Sequence, residues 1–205
     1  MNHELSVSEF LNVFFEEKNK TKMDTVFKQK YCNSSFAVLK MYTSNEELKY
    51  TYQKAIDLHN NNMFTSPYPD SGFDLYAPKQ INIDIPYQKH MIDYEVKTEM
   101  LYFDKVTDSI VNTGYYMYPR SSFSSTPLIL GNHVGIIDSG YRGNLKAALK
   151  FLPDDKFITN YTVEKNQRLM QLCHPSLCPI FVVLMDLDNF ESTERGAGGF
   201  GSTGI

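Results

Sequence analysis

From Pro67 onward the chain is cut every few residues by Gly, Pro, Asn or Asp into short runs in which apolar and polar residues alternate. Ile81–Ile85, Lys97–Phe103, Gly114–Tyr118 and Ala147–Leu152 are the clearest. Period-two alternation in runs this short describes half-buried strands, and the turn residues between them leave no room for crossover helices. The pattern predicts an all-β barrel or sandwich and excludes an alternating β and α architecture.

Residues 1 to about 63 have a different texture, rich in Lys and Glu and in helix-favouring stretches. Ser8–Phe15 has the apolar clustering of a short amphipathic helix, and Phe36–Tyr42 reads as a strand. Ser44, with Glu47 three residues on, has the form of a capping box. Leu48, Tyr52, Ala55, Ile56 and His59 follow at helical spacing, up to a polar stop at Asn60–Asn62. The chain ends in Arg195–Ile205, where five of eleven residues are glycine; this arm can be neither a stable helix nor a central strand. The expected organisation is an extension over 1–35, a β-domain over 36–194 with a helical insert at about 44–60, and an arm over 195–205.

Charge and cysteine content narrow the function. A net charge of −4 and a pI near 5.7 give no general attraction to nucleic acid or anionic membrane, so neither is an expected partner. Cys32, Cys173 and Cys178 are too few for a disulfide framework and point to a reducing compartment. The longest aliphatic run, Ile180–Met185, is too short to span a bilayer. A soluble intracellular protein, cytoplasmic or nuclear, is expected.

Four glycine-marked stretches can carry chemistry. In Ser71–Ala77 an Asp, Asp74, follows a turn glycine at the start of a strand; a plain turn reads equally well. In Tyr118–Phe123, Arg120, Ser121 and Ser122 follow a proline at a possible helical turn, a set suited to a phosphate or to a capped turn with a solvated Arg. Gly131–Gly143 reads as a strand ending in Asp138 and turning at Ser139–Gly140 into a β-hairpin. Asp138 is expected to be partly buried, either capping the turn or holding and deprotonating a water. In the arm, Arg195, Phe200, Ser202 and Thr203 sit among glycines whose amides could cradle an anion, and Phe200 is a ring that a linker does not need.

Taken in order, these stretches resemble the five motifs of the trimeric dUTPase family. Ser71–Leu75 resembles motif one, Pro119–Ser122 motif two, Gly135–Gly143 motif three, Gln167–Leu172 motif four and Arg195–Gly204 motif five. The resemblance covers about residues 36–205. It implies a jelly-roll-like β-barrel, a homotrimer with shared active sites, and an arm that closes over a neighbour's site. The implied reaction is hydrolysis of dUTP to dUMP and pyrophosphate with Mg2+ on the triphosphate, which keeps uracil out of DNA and supplies dUMP.

By the same resemblance, Asp138 is the general base and Asp74 acts on metal-bound water. Arg120, Ser121, Ser122 and Gln171 hold phosphates, while Arg195, Gly201, Ser202 and Thr203 close on the γ-phosphate and Phe200 stacks on uracil. Tyr141 excludes a 2′-hydroxyl, and Asn132 with Val134, Gly135, Ile136, Ile137 and Lys146 lines the uracil edge. The chain departs from the family pattern at Ser71, Ser122 and Asn166, the last standing where a motif glycine is usual; Asn also tolerates positive φ. The related dCTP deaminases need a Glu in the strand after the hairpin, where this chain has Lys146–Leu149, so deamination is disfavoured. A non-catalytic nucleotide- or protein-binding member of the same fold is the alternative from another class. The longer N-terminal segment and the Asn-, Tyr- and Lys-rich composition suit a large DNA virus or an AT-rich genome.

Overall fold

The computed structural model describes residues 31, 34–107, 109–153 and 159–199, so the expected helix over Ser8–Phe15 and arm residues 200–205 lie outside it. Among the described residues the chain is all-β apart from one long helix and short 3₁₀ turns. In chain order these are β1 (Phe36–Tyr42), α1 (Glu46–Thr65), β2 (Gly72–Tyr76), β3 (Ile81–Ile83), β4 (Lys89–Asp93), β5 (Lys97–Asp104) and β6 (Ser109–Asn112). Then come β7 (Tyr115–Pro119), a 3₁₀ turn (Ser121–Ser125), β8 (Leu128–Leu130), β9 (Gly135–Ile137), β10 (Lys146–Phe151), β11 (Tyr161–Val163), β12 (Arg168–Cys173), β13 (Ile180–Leu184) and a 3₁₀ turn (Leu187–Asn189). All four of the clearest alternating runs hold strands.

The strands form small sheets ordered β13-β1-β5-β6, β2-β12-β7-β9, β4-β10-β8 and β11-β3. The first two enclose the main core, in which Leu39 and Met41 of β1 meet Phe73 and Leu75 of β2, Met117 of β7 and Leu172 of β12. Alternation sends the intervening β1 residues, Phe36 and Val38, to a second cluster with Phe103, Phe181 and Met63 of α1. Buried on both faces and paired on both edges, by β5 antiparallel and β13 parallel, β1 is a central strand.

Helix α1 begins one residue later and ends later than the sequence pattern suggested. Asn45 is the cap, its Oδ1 accepting the Leu48 N–H at 3.1 Å, and Ser44 stands outside the helix. Glu46 and Glu47 fall in the first turn, where the helix dipole favours acids. The helix runs straight through Asn60–Asn62 because those side chains are employed: Asn60 donates to the Val182 carbonyl at 2.8 Å and accepts the Val182 N–H at 3.0 Å. It stops at Ser66, whose extended backbone (ψ 134°) is what the following Pro67 requires. Leu48, Tyr52, Ile56, His59 and Met63 form its buried stripe, and burying each apolar member is worth roughly 1.5–3 kcal/mol. The helix is therefore part of the core, not a surface decoration.

The expected hairpin over Gly131–Gly143 does not form. β9 pairs with β7 alone, while β10 pairs with β4 and β8, so residues 138–145 are a loop that carries the chain from one sheet to another. Ser139–Gly140 remains a turn, with the Tyr141 N–H donating to the Asp138 carbonyl at 3.0 Å. Asn166 adopts φ +64°, so the turn survives the loss of the motif glycine.

Candidate active site

Ladder register builds the first cleft. Gln171 on β12 lies opposite Asp74 of β2 on one side and Tyr118 of β7 on the other, which sets three polar side chains in a row across the sheet. Gly72 keeps the row open, because a Cβ there would come within 2.5 Å of Gln171 Oε1. Arg120 follows the last residue of β7, its N–H held by the Leu169 carbonyl at 2.9 Å, and its Nε meets Asp74 Oδ1 at 2.7 Å. The proline-led turn forms as a 3₁₀ turn over Ser121–Ser125, anchored by buried Phe123. These groups line a cleft of about 590 Å³ that includes Asp74, Tyr118, Arg120, Ser121 and Gln171. Ser122 is exposed beside it and is not among its lining residues.

Arg168 also reaches Asp74, with its NH1 3.1 Å from Oδ2, so one carboxylate holds two guanidiniums that an entering phosphate could take over. The sequence placed Arg168 inside motif four without giving it a role, since only the β2–β12 register brings it to Asp74. Cys173 lines the same cleft, but burial, then the Asp74 charge, raises its thiol pKa, so it stands as a neutral thiol and not a nucleophile.

The second pocket, about 190 Å³, is lined by Asn132, Gly135, Ile136, Ile137, Asp138, Tyr141, Lys146 and Arg195 together with Met117 and Gly199. Val134 lies in the chain leading into β9 and is not one of the lining residues. Asp138 is exposed, contrary to the partly buried position expected of it: β9 ends at Ile137, so the carboxylate stands beyond the ladder, 2.8 Å from Arg195 NH2. The Tyr141 ring lies over Gly143, where a Cβ would come within 2.5 Å of its hydroxyl, and that hydroxyl donates to the Asn144 carbonyl at 2.8 Å. Burial, followed by the Asp93 charge, raises the Tyr141 pKa and keeps the phenol neutral.

The described part of the arm lies against this loop of its own chain. The Arg142 N–H donates to the Gly196 carbonyl at 2.8 Å, and Gly199 faces the Tyr141 ring. Phe200, Gly201, Ser202 and Thr203 are outside the described residues.

A buried ion network fixes the loop from behind. Glu99, 1% exposed, takes Lys40 on Oε1 at 2.7 Å and Arg142 on Oε2 at 2.8 Å. Arg142 then donates to the Ser139 carbonyl at 2.8 Å and, through Nε, to the Glu191 carbonyl at 2.8 Å. Sequence reasoning missed this pair. Its only local signal was a Glu two residues before Leu101 and four before Phe103 on the same face of β5, and a carboxylate buried there demands a cation.

Among the described residues none lines both clefts. Successive residues of β7 separate them, Met117 serving the second and Tyr118 the first, and successive strand side chains point to opposite faces. As for metal, no group of three or more His, Cys, Asp or Glu that could hold an ion exists among the described residues. A single carboxylate between two guanidiniums suits Mg2+ that keeps its waters and is held mainly by phosphates, not one caged by protein.

With this geometry in hand, comparison with known proteins identifies the family. The dUTPase family model matches residues 60–204. A deoxyuridine 5′-triphosphate nucleotidohydrolase of Clostridium kluyveri is 31% identical over 137 residues, which is 66% of this chain and 84% of that protein. One from Herminiimonas arsenicoxydans is 42% identical over 88 residues, 42% of this chain and 54% of that protein, so the chain spans about half its length. Among solved structures, a mutant dUTPase of Staphylococcus bacteriophage 80alpha, solved with dUpNHpp, shares 28% identity over 66% of this chain and 87% of that one, with a TM-score of 0.41. The match covers the strands that build both clefts and the arm through residue 204, and the chain belongs to the dUTPase family.

Proposed function

We propose that the chain hydrolyses dUTP to dUMP and pyrophosphate, with nucleoside and phosphates held by different copies of a homotrimer. The observation that carries this reading is the sorting of the motif residues into two clefts, one lined by Asp74, Arg120, Ser121 and Gln171, the other by Asn132, Asp138, Tyr141 and Lys146. Because the clefts use successive residues of β7, a site that unites them needs a second copy of the chain.

In this mechanism Arg120, Ser121, Ser122 and Gln171 bind the phosphate oxygens, and Arg120 exchanges its Asp74 partner for them. Asp74 faces the water shell of Mg2+, which, when bound, neutralises and orients the triphosphate. Asp138 accepts a proton from the water that attacks the α-phosphorus; its exposure suits a group that must reach solvent-derived water in a neighbour's cleft. Tyr141, fixed over Gly143 by its bond to Asn144, packs on the deoxyribose and leaves a 2′-hydroxyl no room. Asn132, Val134, Gly135, Ile136, Ile137 and Lys146 meet the base, where a wrong base leaves buried polar groups unpaired. Arg195, Gly201, Ser202 and Thr203 close on the γ-phosphate while Phe200 covers uracil and excludes water.

The test is pyrophosphate release from dUTP, dTTP, dCTP and UTP, with and without Mg2+, using the full chain and a chain ending before Arg195. Turnover confined to dUTP, dependent on Mg2+ and lost with the arm, is the expected result. A folded trimer that turns over none of the four would sink the proposal and favour a non-catalytic binding role.

A further inference from the structure

Helix α1 supplies a wall of the phosphate-type cleft, through Ala55, Leu58, His59 and Asn62, and it also grips the strand that carries Asp74. Tyr52, wholly buried, accepts the Tyr76 N–H on its hydroxyl at 3.1 Å, on the side of β2 away from β12. Its ring meets Tyr76 edge-on at 5.3 Å and Phe73 at 6.2 Å. About two turns further along, His59 stands edge-on to Phe73 at 5.1 Å, while its Nε2–H donates to the Ile180 carbonyl at 2.8 Å. Phe73 and Tyr76 flank Asp74 along β2: Phe73 faces the core, while Tyr76 shares the face of Asp74 and lines the cleft beside it. Among the described strands β2 pairs with β12 alone, and Tyr52 of α1 takes the Tyr76 N–H on its other side.

We infer that α1 is a positioning element of the active site: Tyr52 and His59 clamp β2 at Phe73 and Tyr76 and so set where the Asp74 carboxylate meets the metal's water shell. The inference rests on the reaction proposed above. Tyr52 lies outside the cleft, whereas His59 both lines its wall and grips the strand. Both act through the strand, and a strand free to shift by a fraction of an ångström loosens the geometry of a water-mediated contact while leaving the phosphate ligands Arg120 and Ser121, on another strand and turn, in place.

The experiment uses the full chain with Tyr52→Phe, which keeps the ring and removes only the acceptor; His59→Gln, which keeps a donor for Ile180 but loses the ring; and Lys54→Ala on the exposed face as control. Two readouts are taken, amide hydrogen exchange along β2 and the Mg2+ dependence of pyrophosphate release. Tyr52→Phe is expected to speed exchange at Tyr76 by about tenfold, with exchange in β5 and β10 unchanged. It and His59→Gln should raise the half-saturating Mg2+ concentration by roughly three- to tenfold; for Tyr52→Phe the KM for dUTP at saturating Mg2+ stays within about twofold of the parent, and Lys54→Ala keeps parent values. An unchanged Tyr76 exchange rate, faster exchange spread evenly over all strands, or an unaltered Mg2+ requirement in an active enzyme would each overturn the inference. If the parent chain releases no pyrophosphate, the reaction is wrong, and the Tyr76 exchange rate alone decides whether α1 clamps the strand.

Discussion

The two clefts are built by opposite means. The phosphate-type cleft stands on ladder register: Asp74, Gln171 and Tyr118 are aligned because three strands pair, and Gly72 leaves room between them. The nucleoside-type pocket takes half of its lining from loop and arm, Asn132, Asp138, Tyr141, Arg195 and Gly199, and the loop over 138–145 is held from behind by Glu99 and Arg142. Regular strands place side chains to within the tolerance of the sheet itself, whereas a loop needs dedicated polar anchors. Apart from the α1 clamp on β2, the first cleft should therefore resist point changes in its surroundings, and the second should fail when its anchors are cut.

The largest expected effect lies at the loop. Asp138→Asn should lower kcat about 10²–10⁴-fold while leaving affinity for a non-hydrolysable dUTP analogue nearly unchanged, as measured by single-turnover kinetics and calorimetry. Cutting the anchor comes next: Glu99→Ala strands the largely buried Lys40 and Arg142 cations and should cost about 3–5 kcal/mol in urea unfolding. If Glu99→Ala proves neutral, the loop is held by something else and the contrast between the clefts collapses. Gly143→Ala pushes the Tyr141 ring aside and should relax rejection of UTP relative to dUTP about tenfold, read as a ratio of kcat/KM values. On the other side of the comparison, Asn45→Ala removes the α1 cap and should cost only about 1 kcal/mol of stability, with dUTP turnover near the parent value.

The smallest effect is a pH dependence. Burial lowers the pKa of His59, against an opposing bond from the Ile180 carbonyl, and burial likewise lowers that of His174. Unfolded histidines, with pKa near 6.5, take up protons that the folded ones refuse, so stability is full above about pH 6.5 and falls as the solution is made more acidic. Thermal unfolding at pH 7.5 and 5.5 should show this loss, and His59→Gln should reduce it.

Much of this was legible in the sequence. Alternation located the strands, the Pro119–Arg120–Ser121 turn formed as read, and Asn166 took the positive φ that its side chain permits. What failed did so for nameable reasons. Helix α1 overran its polar stop because Asn60 found tertiary partners, which no local pattern encodes. The Ser139–Gly140 turn looked like a hairpin because turn chemistry is local, while the choice of β7, β4 and β8 as partners is not. Asp138 looked half-buried because two β-branched residues precede it, yet the strand ends before it. Arg168 and the pair of Glu99 with Arg142 depend on neighbours 94 and 43 positions away in the chain, a distance at which residue type alone says nothing about contact.

The Asn60 side chain bears on a different matter, how the chain avoids its own copies. Among the described strands β13 pairs with β1 alone, and a bare strand flank offers N–H and C=O groups to any passing strand. Asn60 occupies both groups of Val182 at once, and His59 takes the neighbouring Ile180 carbonyl, so one helical turn acts as a stopper against runaway pairing between molecules. In the homotrimer proposed above, such a stopper would separate the contacts that close a ring from those that would grow a fibre.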